Sequence, residues 1–81
     1  MQVTVQYHAL LREKTGRTDE SLALPAGAKV QDLLSNFALR YPGLAPLLPS
    51  LTVAVNDEFA TPPQVLKTGD RIDLLPPFGG G

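Results

Sequence analysis

Ala28-Lys29-Val30-Gln31-Asp32-Leu33-Leu34-Ser35-Asn36-Phe37-Ala38-Leu39-Arg40 is where the apolar residues of this chain take up a helical period. Val30, Leu33, Leu34, Phe37 and then Tyr41 recur at that spacing and make one apolar stripe. Pro42-Gly43 ends the helix, because proline cannot continue it and glycine tolerates the exit conformation. The segments on either side read differently, with a period of two broken by turns. One amphipathic helix therefore has to be covered by several short strands.

Upstream, Asp19 to Leu24 alternates with Leu22 and Leu24 inward and stops at Pro25-Ala26-Gly27. Before it, Ala9 to Lys14 reads as a short helix or turn, stopped by Gly16. The opening run Gln2 to His8 alternates cleanly, with Val3, Val5 and Tyr7 on one side and Gln2, Thr4, Gln6 and His8 on the other. The short spacing makes these two strands a hairpin-like pair. Downstream, Leu44 to Ser50 carries Pro46 and Pro49 and reads as a compact loop with a turn of helix. Leu51 to Asn56 is a third strand with Leu51, Val53 and Val55 inward, and Asn56-Asp57 suits a tight turn. Glu58-Phe59-Ala60 is a brief return strand, and Arg71 to Leu75 is the last.

The order strand, strand, helix, strand, short strand, strand predicts an α+β domain, with one mixed sheet packed on the main helix. Setting the first and last strands side by side and parallel in mid-sheet gives a ubiquitin-like β-grasp. The expected core is Val3, Val5, Tyr7, Leu22, Leu24, Val30, Leu33, Leu34, Phe37, Val53, Val55, Ile72 and Leu74. Residues 1–75 form the domain in this reading, and residues 76–81 a flexible, glycine-rich C-terminal tail.

Composition excludes several functions. A chain of 81 residues is one small domain. Its formal net charge is -1 and its seven basic residues are scattered, which argues against nucleic acid as a partner. No apolar run approaches a membrane span of roughly 20 residues. The N-terminus begins as a strand, without the basic and apolar blocks of a secretory signal. There is no cysteine, hence no disulfide or thiolate metal site. A cytoplasmic protein that binds no metal or cofactor is expected.

The tail, Pro76-Pro77-Phe78-Gly79-Gly80-Gly81, takes the chain out of its sheet. Two prolines remove two backbone donors, and three glycines leave a thin peptide ending in a carboxylate. Either this is frayed terminus, or the Gly81 carboxylate is the working group and the arm is narrow so that it enters another protein's active site. Composition leaves both open. Several residues near the arm are out of pattern. Leu75 faces outward next to it, His8 lies on the outward face of the first strand, and Phe59 follows a turn that does not need an aromatic. With Phe78 they are expected to form one patch at the arm's root, the mark of a partner surface. His8, the only histidine, has no second catalytic member in the sequence and reads as a contact residue. The acid pairs Asp19-Glu20 and Asp57-Glu58 read as solvated. No acid–base constellation assembles, so the chain alone does not look like an enzyme.

Four stretches carry a family resemblance. They are Val5-Gln6-Tyr7-His8-Ala9-Leu10-Leu11-Arg12-Glu13; Asp32-Leu33-Leu34 with Arg40-Tyr41-Pro42; Val55-Asn56 with Gly69-Asp70-Arg71-Ile72; and the closing Leu75 to Gly81. On these the chain resembles the MoaD-type sulfur carriers, the small subunits of molybdopterin synthase, within the MoaD/ThiS ubiquitin-like family. A terminal diglycine is shared with ubiquitin and other carriers. The proline pair at this distance from the end is more specific. His8 stands where that family commonly has phenylalanine, and Phe78-Gly79 fill its variable pair.

The resemblance implies a mechanism. An E1-like adenylating enzyme uses ATP to convert the Gly81 carboxylate to an acyl-adenylate, and a sulfur donor protein makes it a thiocarboxylate. The large synthase subunit, in a heterotetramer, accepts the loaded arm and passes sulfur to cyclic pyranopterin monophosphate in molybdenum cofactor biosynthesis. Gly81 then carries the sulfur and Gly80 gives slim access. Phe78, Leu75, Phe59, His8, Pro76 and Pro77 match the partner surface. The alternatives are a sulfur carrier for thiazole synthesis or tRNA thiolation, a ubiquitin-like protein modifier, and an interaction domain with an idle tail.

Overall fold

The structure, a computed structural model, describes residues 1–77. Its elements are β1 (Gln2–Tyr7), α1 (Leu10–Thr15), β2 (Asp19–Ala23), α2 (Val30–Arg40), a 3-10 helix (Pro42–Ser50), β3 (Thr52–Val55), β4 (Glu58–Phe59) and β5 (Arg71–Leu75). They form one mixed sheet of order β2-β1-β5-β3-β4, with β1 and β5 parallel and the other neighbours antiparallel. This is the expected ubiquitin-like β-grasp. The expected tail residues 78–81 lie outside the described residues.

Alternation sets which face of the sheet is covered. Val3, Val5 and Tyr7 of β1, Ile72 and Leu74 of β5, and Val53 and Val55 of β3 are buried against Val30, Leu33 and Phe37 of α2. Parallel register pairs Val5 with Ile72 and Tyr7 with Leu74, and antiparallel register pairs Val53 with Leu74. Leu22 and Leu34, expected in the core, are partly buried at its margin. Leu11, Ala28, Leu44 and Leu66 join the core from short or irregular segments where periodicity had nothing to measure. Leu66 is held there by Leu66 N–H to Ala28 O (2.8 Å) and by Val30 N–H to Gln64 O (2.9 Å), which strap the loop before β5 onto the start of α2. Leu44 to Ser50, expected as a loop with one turn of helix, is 3-10 helix throughout despite Pro46 and Pro49.

Local chemistry sets the caps and turns that bound the elements, whose ends fall within one or two residues of the expected ones. Gly16 adopts φ 73° and donates to Arg12 O at 2.9 Å, closing α1. Asp32 caps α2 by accepting from Lys29 N–H at 2.8 Å. Asn56 and Asp57, at φ 50° and 71°, form the two-residue turn of the β3–β4 hairpin, whose twist requires positive φ at both positions. The Asn56 side chain also donates to Asp70 (2.8 Å) and accepts from Arg71 N–H (2.9 Å), tying that turn to the entry of β5. Gly69 N–H to Gln2 O (2.8 Å) and Thr4 N–H to Asp70 O (3.0 Å) then lay β5 beside β1.

Glu20 corrects the expectation of a solvated acid. Its side chain is 8% exposed, accepts from Arg40 Nη2 at 2.6 Å and lies 3.7 Å from Arg17. The buried Tyr7 donates its hydroxyl to the same carboxylate. Tyr7, Phe37 and Tyr41 stack around this cluster with centroids 5.3 to 6.4 Å apart. Burial pushes the Glu20 carboxyl up, but the hydrogen bonds from Arg40 and Tyr7 and the nearby guanidinium charges outweigh it and leave it below the usual range. Burial first, and then the bond to Glu20, hold the Tyr7 hydroxyl well above its usual value. Among the described residues no helix is long and apolar enough to cross a membrane.

A carboxyl depressed by folding contributes stability that is present above its ordinary value near 4.5 and is lost as pH falls below it. Glu20→Gln is therefore expected to lower stability by roughly 1–3 kcal/mol at neutral pH. The variant should also lose less on acidification from about pH 5 to pH 3 than the parent does. Urea unfolding at several pH values reads both effects, and parallel pH profiles would contradict the assignment.

Candidate functional site

The sheet face turned away from α2 carries what the core leaves out. Register sets Gln6, Asp73, Ala54 and Phe59 in one row across four strands. Alanine is the small member of that row, so the surface dips between Asp73 and Phe59. The result is an open concavity of about 510 Å³ lined by Gln6, His8, Ala54, Asp57, Phe59, Arg71, Asp73 and Leu75. The structure thus brings together His8, Phe59 and Leu75, three of the four residues expected to form one patch. Phe59 is 85% exposed, an unusual cost for a large aromatic that no packing demands. Leu75 is half-buried at the end of β5. Pro76 is buried and Pro77 exposed, so the root of the tail is packed at the first proline. Phe78, Gly80 and Gly81 lie outside the described residues.

The floor of the concavity is polar, which the sequence reading missed. His8 Nε2 lies 2.8 Å from Asp73 Oδ1. A carboxylate oxygen accepts, which places the imidazole proton on Nε2. Asp73 Oδ2 accepts from Arg71 Nε at 3.3 Å, and Arg71 Nη2 also donates to Asp57. The neighbouring charge of Asp57, followed by the bond to Asp73, raises the Arg71 guanidinium above its ordinary value. Asp57, expected as a solvated acid, is thus paired although exposed. Alternation with the inward Ile72 and Leu74 puts Arg71 and Asp73 on the outward face. What the sequence lacked was the register of the parallel β1–β5 pair, which sets Asp73 beside Gln6 and next to His8.

A strained turn holds His8 in place. Ala9 follows it at φ 49° and ψ −124°, a conformation that L-residues rarely adopt. Two neighbours hold the turn: Leu11 is fully buried, and Arg12 Nε donates to Tyr7 O at 3.0 Å. Chemically, the face has a hydrogen-bonded ion cluster with apolar margins. Among the described residues no group of three or more histidine, cysteine, aspartate or glutamate side chains is arranged to hold a metal. A face of this kind is suited to docking.

The ThiS family model matches residues 5–81. The chain belongs to the ThiS family. A molybdopterin synthase sulfur carrier subunit of Chlamydomonas reinhardtii is 34% identical to this ThiS-family chain over 83 residues, with both chains covered in full. Among solved structures, the putative molybdopterin converting factor subunit 1 of Pyrococcus furiosus matches with a TM-score of 0.87 at 28% identity, covering 95% of this chain and 98% of its own. A chain from the Helicobacter pylori complex of subunits 1 and 2 of molybdopterin-converting factor matches with a TM-score of 0.68 at 27% identity, both chains being covered in full. In this ThiS-family chain, the resemblance stretch Val55-Asn56 with Gly69-Asp70 proves to be scaffold, since it staples the β3–β4 turn to β5.

Phe59→Ser is expected to change folding stability by less than about 0.5 kcal/mol, because the ring is 85% exposed. Asp73→Ala leaves Arg71 and His8 without their shared acceptor and is expected to cost roughly 1–3 kcal/mol. Chemical denaturation of the two variants checks the contrast, and a destabilised Phe59→Ser would mean that the ring is structural.

Proposed function

We propose that this chain is the sulfur carrier subunit of a molybdopterin synthase. The observation that carries the reading is the end-to-end match to sulfur carrier subunits of that enzyme, together with a fold whose last strand lies in the middle of the sheet, the diglycine following it in the sequence. An E1-like enzyme adenylates the Gly81 carboxylate with ATP, releasing pyrophosphate. Sulfur from a donor protein displaces AMP and leaves a thiocarboxylate. A carboxylate is a poor acyl donor, and adenylation supplies the leaving group it lacks.

The large synthase subunit then docks on the open sheet face and takes the tail into its pocket, where the sulfur passes to cyclic pyranopterin monophosphate. In the Helicobacter pylori structure the matching chain belongs to a complex of subunits 1 and 2, which supports a partner subunit here. Phe59, Leu75 and His8 supply the contact, Phe78 extends it, and Pro76 and Pro77 aim the arm. Glycine at positions 80 and 81 gives the arm its narrow tip. The carrier holds no cofactor of its own in this reading and acts in the cytoplasm, as half of each pair in a heterotetramer.

The test is the intact mass of the untagged protein after incubation with the adenylating enzyme, ATP and a sulfur source. An exchange of one oxygen for sulfur, mapped to Gly81, is expected, and deletion of Gly81 should abolish it without changing the circular dichroism. An unmodified Gly81 under these conditions would sink the carrier reading. Leu75→Glu should weaken binding of the large subunit at least tenfold, about 1.4 kcal/mol, since it sets a charge in an apolar contact.

A further inference from the structure

The open face differs at its two ends. The outward residues of β5 are Arg71, Asp73 and Leu75, in that order toward the tail. Arg71 stands beside Thr4 of β1, and Leu75 beside Thr52 of β3. Four residues of strand set those two ends roughly 13 Å apart. The Leu75 end is apolar and leads into Pro76. The other end is closed by the β3–β4 turn, where Asp57 accepts from Arg71.

Charge is unevenly matched between the ends. Asp73 has both oxygens engaged, Oδ1 with His8 and Oδ2 with Arg71, and its side chain is 12% exposed. Arg71 is shared between Asp73 and Asp57, and Asp57 is bonded to it through Oδ1 alone. Asp57 Oδ2 has no hydrogen-bond partner among the described residues, and the side chain is 79% exposed. One guanidinium thus serves two carboxylates, and the carboxylate left open is that of Asp57. Among the described residues no lysine lines the concavity and Arg71 is its one arginine, so the chain brings no second cation to Asp57 there. The neighbouring Glu58 and Lys67 line a separate hollow with Asn56 and Asp70.

Docking on this face presses against Phe59, two residues from Asp57 and 85% exposed, and draws water away from both. A carboxylate that loses water without gaining a partner is costly, and a cation that bonds it offsets that cost. An anionic group would meet Asp57 as a like charge. Both oxygens of a carboxylate accept, so a donor on Oδ2 leaves the Arg71 bond to Oδ1 in place. We propose that Asp57 is a specificity-determining contact of the docking face: the large subunit presents an apolar surface to Phe59, Ala54 and Leu75, and one lysine or arginine side chain to the free oxygen of Asp57. This rests on the docking reading above. A charge at one end and apolar surface at the other admit one orientation of the partner, since turning it half round would set its cation against Leu75. Asp57 therefore fixes which way round the partner sits relative to Pro76, where the tail begins.

Calorimetric titration of the full chain into the purified large subunit tests this, at about 50 mM and about 500 mM salt. Asp57→Asn removes the charge, nearly keeps the shape, and keeps a residue type that tolerates the φ of 71°. It is expected to weaken binding about tenfold at the lower salt and much less at the higher, where screening is strong. Asp57→Gly, which fits the same backbone, should lose at least as much. Unchanged or tighter binding by Asp57→Asn, with Leu75→Glu still weakening it, overturns the inference and leaves the docking reading in place. A loss equal at both salt concentrations, or confined to Asp57→Gly, overturns it as well, because neither is an effect of charge. If neither Asp57→Asn nor Leu75→Glu weakens binding, or if the wild-type complex does not form, the docking reading falls, and this inference with it.

Discussion

Parallel pairing of β1 with β5 is the constraint on which the rest of the molecule depends. Parallel neighbours cannot be joined by a tight turn, so every other element lies within the crossover between them. That crossover carries β2 to one edge of the sheet and β3 and β4 to the other, and it lays α2 across one face. The last strand is thereby held from both sides, by β1 through Val5–Ile72 and by β3 through Val53–Leu74. Gly69 and Asp70 complete the arrangement, with backbone bonds to Gln2 and Thr4 that fix where β5 begins. A chain end placed in mid-sheet cannot peel away as an edge strand does, and so it gives the tail a firm base.

Tyr7, the last residue of β1, and His8 directly after it divide the labour between the two faces. Tyr7 points into the core, and its hydroxyl joins Glu20 and Arg40 in a cluster that ties β1, β2 and the end of α2 together. His8 points the other way and joins Asp73, Arg71 and Asp57 on the open face. The period of two in a strand is what makes this possible. The first cluster is capped by aromatic rings and serves stability. The second is left accessible beside an exposed Phe59, where the proposed docking would use it. The strained Ala9 turn sits directly after the junction, in keeping with strain collecting at functional places.

Most of the fold was legible because it rests on periodicity. Val3, Val5 and Tyr7 at spacing two, and Val30, Leu33 and Phe37 at helical spacing, named their own faces. Leu11, Leu44 and Leu66 were invisible because each is a single anchor in a segment too short or irregular to show a period. The apolar members of the site were legible as residues out of place. Its charged members were not, since Arg71, Asp73 and Asp57 look ordinary in sequence and meet His8 only through strand pairing between the two ends of the chain. Glu20 was misread for a related reason: paired acids look solvated until the basic residue that faces them, here Arg40 on another element, is placed.

Burial of Pro76 gives the molecule the properties of a gauge. Gly81 follows that anchored point by five residues, and an extended chain spans at most about 3.5 Å per residue, so chain length limits its reach to about 17 Å. If the proposed partner sits over the concavity, it has to hold its reacting centre within that distance of Pro76. Each residue inserted between Pro77 and Gly80 would move the delivered atom outward by one step while leaving the seat untouched. On the proposed reading, the sheet sets where the partner sits and the tail length sets how deep its active site can be.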